Sequence, residues 1–191
     1  PGIRNATLTT VAPTGTVSII AGCSSGIEPI FAISYVRRIM DATVVREVNP
    51  VFEKSAEVSG FLSKELMNRI SKSGSIKEIK EIPADVRRVF VTALDISPEW
   101  HVRMQAAFQR HCDNAVSKTV NLPEHATLED VKKVFALAYK LRCKGITVFR
   151  YGSKKQQVLS IGPSVAKDGK SRNFTVTAEY AGNCMTEYCT A

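Results

Sequence analysis

The sequence lacks any apolar run long enough to cross a membrane. Its best runs, Val17–Cys23 and Val89–Leu94, fall well short of the roughly 18 residues that a membrane-spanning helix needs. No charged-then-apolar leader opens the sequence, but residue 1 is Pro rather than Met, and a piece of a longer chain would lack a leader in any case. We therefore expect this chain to be a piece of a longer protein. We also expect it to have no membrane partner.

A concentrated basic surface is also lacking, although the 191-residue chain carries a net charge of +8. The basic residues are scattered, and their densest group lies between Lys154 and Arg172, where the sequence looks least folded. No basic stripe alternates with aromatic side chains that could stack on bases. We therefore expect no nucleic-acid partner. Nucleic-acid binding stays open on the net charge alone, and its affinity would fall steeply with salt.

Cysteine and histidine are few, at five and three residues. An odd number of cysteines in a chain of this size does not indicate the disulfide framework of a secreted protein. Three cysteines stand singly in apolar surroundings, as small buried residues often do: Cys23, Cys112 and Cys143. The histidines have no spacing that suits a metal site or a catalytic triad: His101, His111 and His125. We expect no metal site.

Short strands separated by glycine turns are predicted for residues 1–48. Residues 6–12 are rich in Thr and Val, which is typical of a strand, and further strands are predicted at 17–21, 31–40 and 43–48. Residues 49–146 are predicted to be mainly helical.

Three helix starts can be placed by their capping residues. Asn49–Pro50 and Ser97–Glu99 combine an N-cap residue with Pro at the first helical position, and Thr127–Asp130 resembles a capping box. A further helix, with one apolar face, is predicted across residues 61–71.

Two apolar stripes recur at spacings of three and four, which indicates amphipathic helices. The first stripe comprises Trp100, Met104, Ala107, Phe108, Cys112 and Ala115. The second, predicted to be buried, comprises Val131, Val134, Phe135, Ala138 and Leu141. Gly145 is predicted to end this last helix, ahead of a buried strand at residues 146–149.

Residues 152–191 change in composition. Gly, Ser, Lys and Gln are common and periodicity is lost, apart from a possible short strand at Val158–Ile161. This composition predicts a flexible linker and tail. We therefore expect two parts, with residues 1–151 folded and residues 152–191 forming the tail.

A glycine-centred turn follows the first predicted strand. It comprises Pro13, Thr14, Gly15, Thr16, Val17 and Ser18. Glycine lets a ligand approach the backbone, and hydroxyls with consecutive N–H groups suit a phosphate. The alternative is a plain tight turn between two strands. The segment is not a Walker loop, because no Gly-Lys-Ser/Thr follows.

The tail ends in the only closely spaced cysteine pair, Cys184 and Cys189. Two thiols on a mobile polar segment suit dithiol–disulfide exchange with a distant site. A flexible chain from Ser153 to Cys184 reaches roughly 30 Å. Half of a zinc site and incidental cysteines remain the alternatives, although a structural zinc site needs four ligands.

Several blocks, in one order, resemble the catalytic subunit of ribonucleotide reductases. Arg4–Ser18 is similar to the family's substrate phosphate-binding strand and loop, and Ser25–Pro29 to its Gly-Ile-Glu-Pro signature. Met104–Gln109 with Asp113–Thr119 resembles a late helix that runs into a barrel strand. Lys144–Arg150, after Ala138-Tyr139-Lys140, resembles the last barrel strand, and the terminal cysteines resemble the family's swinging-arm pair.

The resemblance implies the fold, the reaction and the partners. The fold would be α/β, the C-terminal part of a ten-stranded α/β barrel with a flexible tail. The reaction would replace the ribose 2′-hydroxyl of a ribonucleotide with hydrogen through a thiyl radical, in the cytoplasm. Pro13–Ser18 would hold the substrate phosphates. Cys184 and Cys189 would re-reduce the active-site disulfide with electrons from a thioredoxin- or glutaredoxin-like reductant.

The subclass rests on two positions. Reductases that receive their radical from a separate metal subunit resemble one another in carrying a Tyr-Tyr relay in the last strand, where this chain has Phe149 and Arg150. Neither side chain can relay a tyrosyl radical. The loop sequence Ala-Pro-Thr-Gly-Thr also resembles that of the adenosylcobalamin-dependent class. The resemblance therefore implies the adenosylcobalamin-dependent class.

The thiyl-radical cysteine of the family is absent from this chain, because no cysteine lies in an Asn-Pro-Cys-Gly-Glu-like context. The chain alone is expected to be inactive and to need the N-terminal remainder of the catalytic subunit. Two alternatives stay open: the large subunit of a metal-radical reductase, and a non-catalytic nucleotide-phosphate-binding module.

Overall fold

The chain folds as two compact units that are interleaved in sequence. The computed structural model describes residues 2–38, 44–154, 159–161 and 173–176. Residues 1–30 and 93–155 form the first unit, and residues 31–92 and 156–191 form the second. Each unit is thus built from two separate segments of the sequence. The division into a barrel part at residues 1–151 and a tail at residues 152–191 remains a prediction.

The first unit contains a parallel β–α–β arrangement. Strands β3 (Thr119–Leu122) and β4 (Thr147–Arg150) pair in parallel, with Thr119 opposite Thr147 and Leu122 opposite Arg150. Helix α6 (Leu128–Lys140) connects them, helix α5 (Pro98–Gln109) precedes β3, and a short 3₁₀ helix (Ala93–Asp95) precedes α5. Parallel strands joined through a helix confirm the predicted α/β class.

One face of the parallel pair forms the core of the first unit. Alternate strand residues point to opposite faces of a sheet. Val120 and Leu122 are fully buried against α5 and α6, and Val148 packs against the same cluster. The remaining members of this core are Val102, Ala126, Val134 and Ala138. The predicted capping box is confirmed, since Thr127 Oγ1 accepts from the backbone N–H of Asp130 and the Asp130 carboxylate accepts from that of Thr127.

The apolar stripe predicted on α5 does not face the core. Trp100, Met104 and Phe108 are 66%, 50% and 42% exposed. The buried residues of the helix are instead His101, Val102, Gln105, Ala106 and Gln109. Spacing alone cannot separate the two faces, because polar side chains that find backbone partners can be buried as fully as apolar ones. The helix also ends at Gln109, before Cys112 and Ala115, and Phe135 on α6 is exposed as well.

The second unit is a small four-stranded sheet with helices. Strands β1 (Ser34–Arg38) and β2 (Val44–Val48) pair antiparallel, and the sheet order is β5-β1-β2-β6. The edge strands are β5 (Leu159–Ser160), antiparallel to β1, and β6 (Asn173–Val176), parallel to β2. The predicted tail therefore contains two short paired strands, and its other residues from 155 onward lie outside the described residues, apart from Ile161.

The described part of the second unit contains three helices, of which the first begins at its predicted cap and the second lies close to the predicted helix at residues 61–71. They are α2 (Pro50–Val58), α3 (Lys64–Ser73) and α4 (Ala84–Val89). The Asn49 side chain accepts the N–H of Phe52, which confirms the predicted cap. Phe52 is fully buried and meets Phe90 edge-on at 5.3 Å between ring centres. Among the described residues, no helix of either unit combines the length and apolar character needed to span a membrane.

Two strand predictions near the start of the chain are wrong. Residues 17–21 belong to a short helix, α1 (Gly15–Ala21), because Thr14 and Gly22 at its two ends adopt left-handed backbone conformations that turn the chain. Residues 6–10 form no ladder, although Val11 makes one parallel bridge with Val116. The chain thus reaches the predicted phosphate loop as an extended segment rather than as a complete strand.

Candidate functional site

The predicted phosphate loop lies on the surface of the first unit at the start of α1. Pro13, Thr14, Gly15, Thr16 and Val17 are exposed, whereas Ser18 is buried. Thr14 has φ 52° and provides no side-chain cap, so the N–H groups of the first helical turn keep no partner from this helix. A β-carbon added to Gly15 would meet nothing within 4 Å, which leaves the backbone open to a ligand.

The three hydroxyls of the loop differ in their availability. The Thr14 hydroxyl donates to the carbonyl of Pro13 at 2.8 Å, and that of Ser18 donates to the carbonyl of Gly15 at 2.8 Å. Both therefore stabilise the turn. Thr16 is exposed. Whether any of the three hydroxyls binds a phosphate stays a prediction.

A second turn, Ser25–Glu28, contacts this loop at Pro13. The Ser25 hydroxyl donates to the carbonyl of Pro13, and the N–H of Glu28 donates to the carbonyl of Ser25 at 2.9 Å. Gly26 has φ +51°, and a β-carbon there would lie 3.2 Å from the carbonyl oxygen of Ala12. Glycine is required at this position by both its conformation and its close approach.

The far end of the second turn is held by a buried ion pair. Lys118 Nζ lies 2.7 Å from Glu28 Oε2, and the side chains of Lys118 and Glu28 are 1% and 23% exposed. Glu28 Oε1 accepts the N–H of Thr119, the first residue of β3, at 2.5 Å. Removing one partner of such a pair strands a buried charge, at a cost of about 3–5 kcal/mol in stability. Glu28 therefore ties the turn firmly to β3.

His101 completes the network around the ammonium. Lys118 Nζ lies 2.9 Å from His101 Nδ1, and His101 Nε2 lies 2.9 Å from the carbonyl oxygen of Ala93. An ammonium has only donors, so Nδ1 must accept and Nε2 must carry the proton. Burial, reinforced by the charge of Lys118, lowers the pKa of His101. The ring is therefore neutral and serves as a fixed acceptor.

The approach to the loop is held by Asp113 and Asn114. The Asp113 carboxylate accepts the N–H groups of Leu8 at 2.9 Å and Thr9 at 3.1 Å, and the Asp113 N–H donates to the hydroxyl of Thr9. The Asn114 amide donates to the hydroxyl of Thr7 at 2.8 Å. These contacts align the extended segment ahead of the loop with the segment ahead of β3.

Asp113 should give the protein an acid-sensitive element. The backbone N–H groups of Leu8 and Thr9 lower the pKa of Asp113 from its ordinary 3.8. Its contribution is thus present above pH 3.8 and lost as pH falls through the lowered value. We expect Asp113→Asn to flatten the fall of Tm with pH in this acid window, as followed by thermal unfolding of the full-length protein. Glu124→Gln, at an exposed carboxylate of the same unit, is the control. An unchanged pH dependence in Asp113→Asn would contradict the assignment.

Two glutamines on α5 fix the segments that lead into the parallel strands. Gln105 Nε2 donates to the carbonyls of Val116 at 3.0 Å and Gly145 at 2.6 Å. Gln109 Nε2 donates to the carbonyl of Asn114 at 2.8 Å, and its Oε1 accepts the N–H of Lys144 at 3.2 Å. Gln105 lines a cavity of about 380 Å³, and Pro13 and Lys118 are also among its lining residues.

Comparison with known families decides the identity of this architecture. A family model described as the ribonucleotide reductase barrel domain matches residues 1–149. The chain belongs to the ribonucleotide reductase family. The predicted family is thereby confirmed, and with it the α/β class of a reductase barrel, although the described residues form only part of a barrel and do not close it.

Curated relatives carry the name of one subclass. The chain is 50% identical over 165 residues to the "Vitamin B12-dependent ribonucleoside-diphosphate reductase" of Thermoplasma acidophilum, covering 86% of this chain and 21% of that protein. It is 47% identical over 186 residues to the protein of the same name from Mycobacterium tuberculosis, covering 97% and 26%. The chain thus spans about a quarter of the length of these reductases.

A solved structure supports the fold. The "class Id ribonucleotide reductase alpha subunit" of Actinobacillus ureae aligns with a TM-score of 0.65 at 23% identity, covering 79% of this chain and 28% of that one. At that identity the similarity concerns the fold alone, and the subclass rests on other observations.

The two positions from which the subclass was predicted, Phe149 and Arg150, lie on β4. Phe149 pairs with Asn121 across the parallel ladder, and the two share the face opposite the buried Val120 and the partly buried Val148. Arg150 is exposed. A phenol, which a tyrosyl relay requires, is absent at both positions.

The described residues do not themselves fit a cobalamin. The cavity beside Lys118, at about 380 Å³, is far smaller than a corrin with its substituents. The cofactor would have to be held by the remainder of a reductase.

Several predicted and unpredicted residues can now be placed. Cys184 and Cys189 lie outside the described residues, so their role stays a prediction. Sequence reasoning missed the buried roles of Lys118, His101 and Gln105. A signal was available for two of them, because His101, Gln105 and Gln109 recur every fourth residue on one face of α5. The remaining cysteines are free thiols, and burial raises the pKa of Cys143.

Proposed function

We propose that the full-length protein is an adenosylcobalamin-dependent ribonucleoside-diphosphate reductase, and that this chain carries its substrate phosphate loop. The observation behind this proposal is the exposed loop at Pro13–Ser18, held by hydrogen bonds from the Ser25–Glu28 turn. The chain is 50% identical to a reductase named for its dependence on vitamin B12. The cofactor supplies the radical chemistry when bound. The residues of this chain bind and orient the substrate and, in the tail, supply electrons.

The substrate phosphates would contact the start of α1. Gly15 gives the backbone an open approach, and Thr16 adds an exposed hydroxyl. The contacts from Ser25 and Glu28 fix the loop in advance, which limits the entropy lost on binding. The relatives' names favour a diphosphate over a triphosphate as the substrate.

The other components follow from the same proposal. The thiyl-radical cysteine would come from the N-terminal remainder of the subunit. Electrons would reach the active site from a thioredoxin- or glutaredoxin-like protein in the cytoplasm, through Cys184 and Cys189. The main alternative is the large subunit of a metal-radical reductase. Phe149 and Arg150 make this alternative less favoured, because neither side chain carries the phenol that a tyrosyl relay needs.

Gly15→Val should raise the KM for a ribonucleoside diphosphate by about tenfold, since a branched side chain would block approach to the backbone. The fold should persist, because a β-carbon at Gly15 meets no neighbouring atom. Steady-state kinetics and Tm of the full-length enzyme measure both effects. Gly2→Val, at another open glycine, is the matched control.

The same experiment separates the alternatives. A non-catalytic phosphate-binding module would show ligand binding that Gly15→Val weakens, with no deoxyribonucleotide formed by the wild type. Unchanged KM and kcat in Gly15→Val would remove the loop from the substrate site.

A further inference from the structure

We propose that Lys118 is a positioning residue for the phosphate loop, acting through Glu28 and Ser25. This inference rests on the proposed function of the loop and adds the residue that sets its position. Lys118 itself touches no part of the loop through a recorded hydrogen bond. Its effect is transmitted along three contacts.

The first contact anchors the carboxylate. The ammonium of Lys118 is almost fully buried and meets three acceptors: Glu28 Oε2 at 2.7 Å, His101 Nδ1 at 2.9 Å and the carbonyl of Thr119. An ammonium with three partners has no remaining hydrogen to donate. Its direction is therefore fixed by contacts to α5, at His101, and to β3, at Thr119.

The second contact converts the anchored carboxylate into a fixed turn. Glu28 is held at both oxygens, by Lys118 and by the N–H of Thr119. The N–H of Glu28 closes the turn onto the carbonyl of Ser25 at 2.9 Å. A change at Lys118 would thus release the end of the turn that β3 holds.

The third contact reaches the loop. The Ser25 hydroxyl donates to the carbonyl of Pro13, and Gly26 packs against the carbonyl of Ala12. Ala12 immediately precedes the loop, and Pro13 is its first residue. A displaced Ser25–Glu28 turn would move Pro13 and with it the backbone at Gly15.

Two substitutions in the full-length enzyme test the two ends of this route. Lys118→Met removes the buried charge, and Ser25→Ala cuts the contact with Pro13 while leaving the ion pair in place. We expect each to raise the KM for cytidine diphosphate by about fivefold to tenfold, with kcat nearly unchanged, because a displaced phosphate grip weakens substrate and transition state alike. Lys132→Met, which breaks an exposed pair with Glu129, is the matched control and should leave KM unchanged.

A double-substitution cycle compares the KM of the double variant with the KM of each single variant. A general loss of stability would not produce the pattern of KM values expected here. If Lys118 acts only through Glu28 and Ser25, the KM of Lys118→Met/Ser25→Ala should equal that of the worse single variant. Multiplied effects on KM would overturn the route. A lowered Tm with unchanged KM in Lys118→Met, or an unchanged KM in Ser25→Ala, would also overturn it.

Failure to fold would not leave the proposal untested. If Lys118→Met is insoluble, Glu28→Gln, which keeps the shape of the side chain, takes its place in the cycle with the same expectations. Gly15→Val distinguishes the two levels of inference. If Gly15→Val raises KM while Ser25→Ala and the Lys118 or Glu28 variant do not, only the positioning role fails; if Gly15→Val leaves KM unchanged, the loop assignment fails.

Discussion

Replacing Cys184 and Cys189 together with Ser should abolish multiple turnover with a thioredoxin-type reductant and leave the first turnover intact. In the proposed reaction, each ribonucleotide reduced would take two electrons from an active-site dithiol, which would become a disulfide. An enzyme that starts reduced can therefore form one product per site without the tail. Later turnovers need a second dithiol to reduce that disulfide.

The expected loss is large because a protein reductant is too big to reach a disulfide inside a barrel. In the proposed cycle the tail dithiol attacks the active-site disulfide through a mixed disulfide and is itself oxidised. The external reductant then restores the tail. Without the tail thiols, steady-state activity with thioredoxin should fall to background, whereas dithiothreitol, which is small enough to enter, should restore much of it.

Three comparisons make this experiment specific. Single-turnover product formation should match the wild type, which controls for folding. Cys23→Ser, at an exposed thiol of the first unit, should retain activity with thioredoxin. A zinc role for the pair predicts instead a fixed metal stoichiometry and a loss of assembly in the double variant. Normal thioredoxin-supported turnover in the double variant would contradict the shuttle role.

Much of the architecture could be predicted because local rules and tertiary structure agree. The caps at Asn49 and Thr127 use side chains that bond backbone N–H groups within one turn, so their signal is contained in a few residues. The apolar run at residues 146–149 predicts the strand at β4, although that strand is only partly buried rather than buried. The family could be predicted from sequence motifs that occur in the family's order. Each motif alone is weak evidence for the family, but together they are specific.

The remaining features could not be predicted because they depend on partners distant in sequence. Lys118 pairs with Glu28 across 90 residues, and Leu8 pairs with Asp113 across 105. No local pattern marks either pair. The face of α5 was misassigned for a related reason, since Gln105 and Gln109 are buried by bonds to backbone carbonyls that only the fold brings near.

The loop also shows where propensity fails. Val17, Ile19 and Ile20 favour a strand by composition, yet they lie in α1 and are 65%, 61% and 80% exposed. The left-handed conformations at Thr14 and Gly22 decide the local structure instead. The predicted glycine turn at Pro13–Ser18 is present, but it opens a helix rather than joining two strands.

Activity of the full-length enzyme should depend on adenosylcobalamin and not on a radical-donating protein. A tyrosyl relay requires phenols, and β4 has Phe149 and Arg150 at the matching positions. Under the proposed function, the radical would then be generated within the subunit. We expect activity to rise from background to full turnover on adding the cofactor alone, and an added iron or manganese subunit to have no further effect.

The most direct test of the account is the formation of deoxyribonucleotide by the purified full-length protein. The enzyme would be freed of iron and manganese with a chelator, supplied with a ribonucleoside diphosphate and dithiothreitol, and assayed by chromatography with and without adenosylcobalamin. The account predicts a 2′-deoxyribonucleoside diphosphate only when the cofactor is present. No product with the cofactor, together with product after addition of a metal-radical subunit, would contradict it.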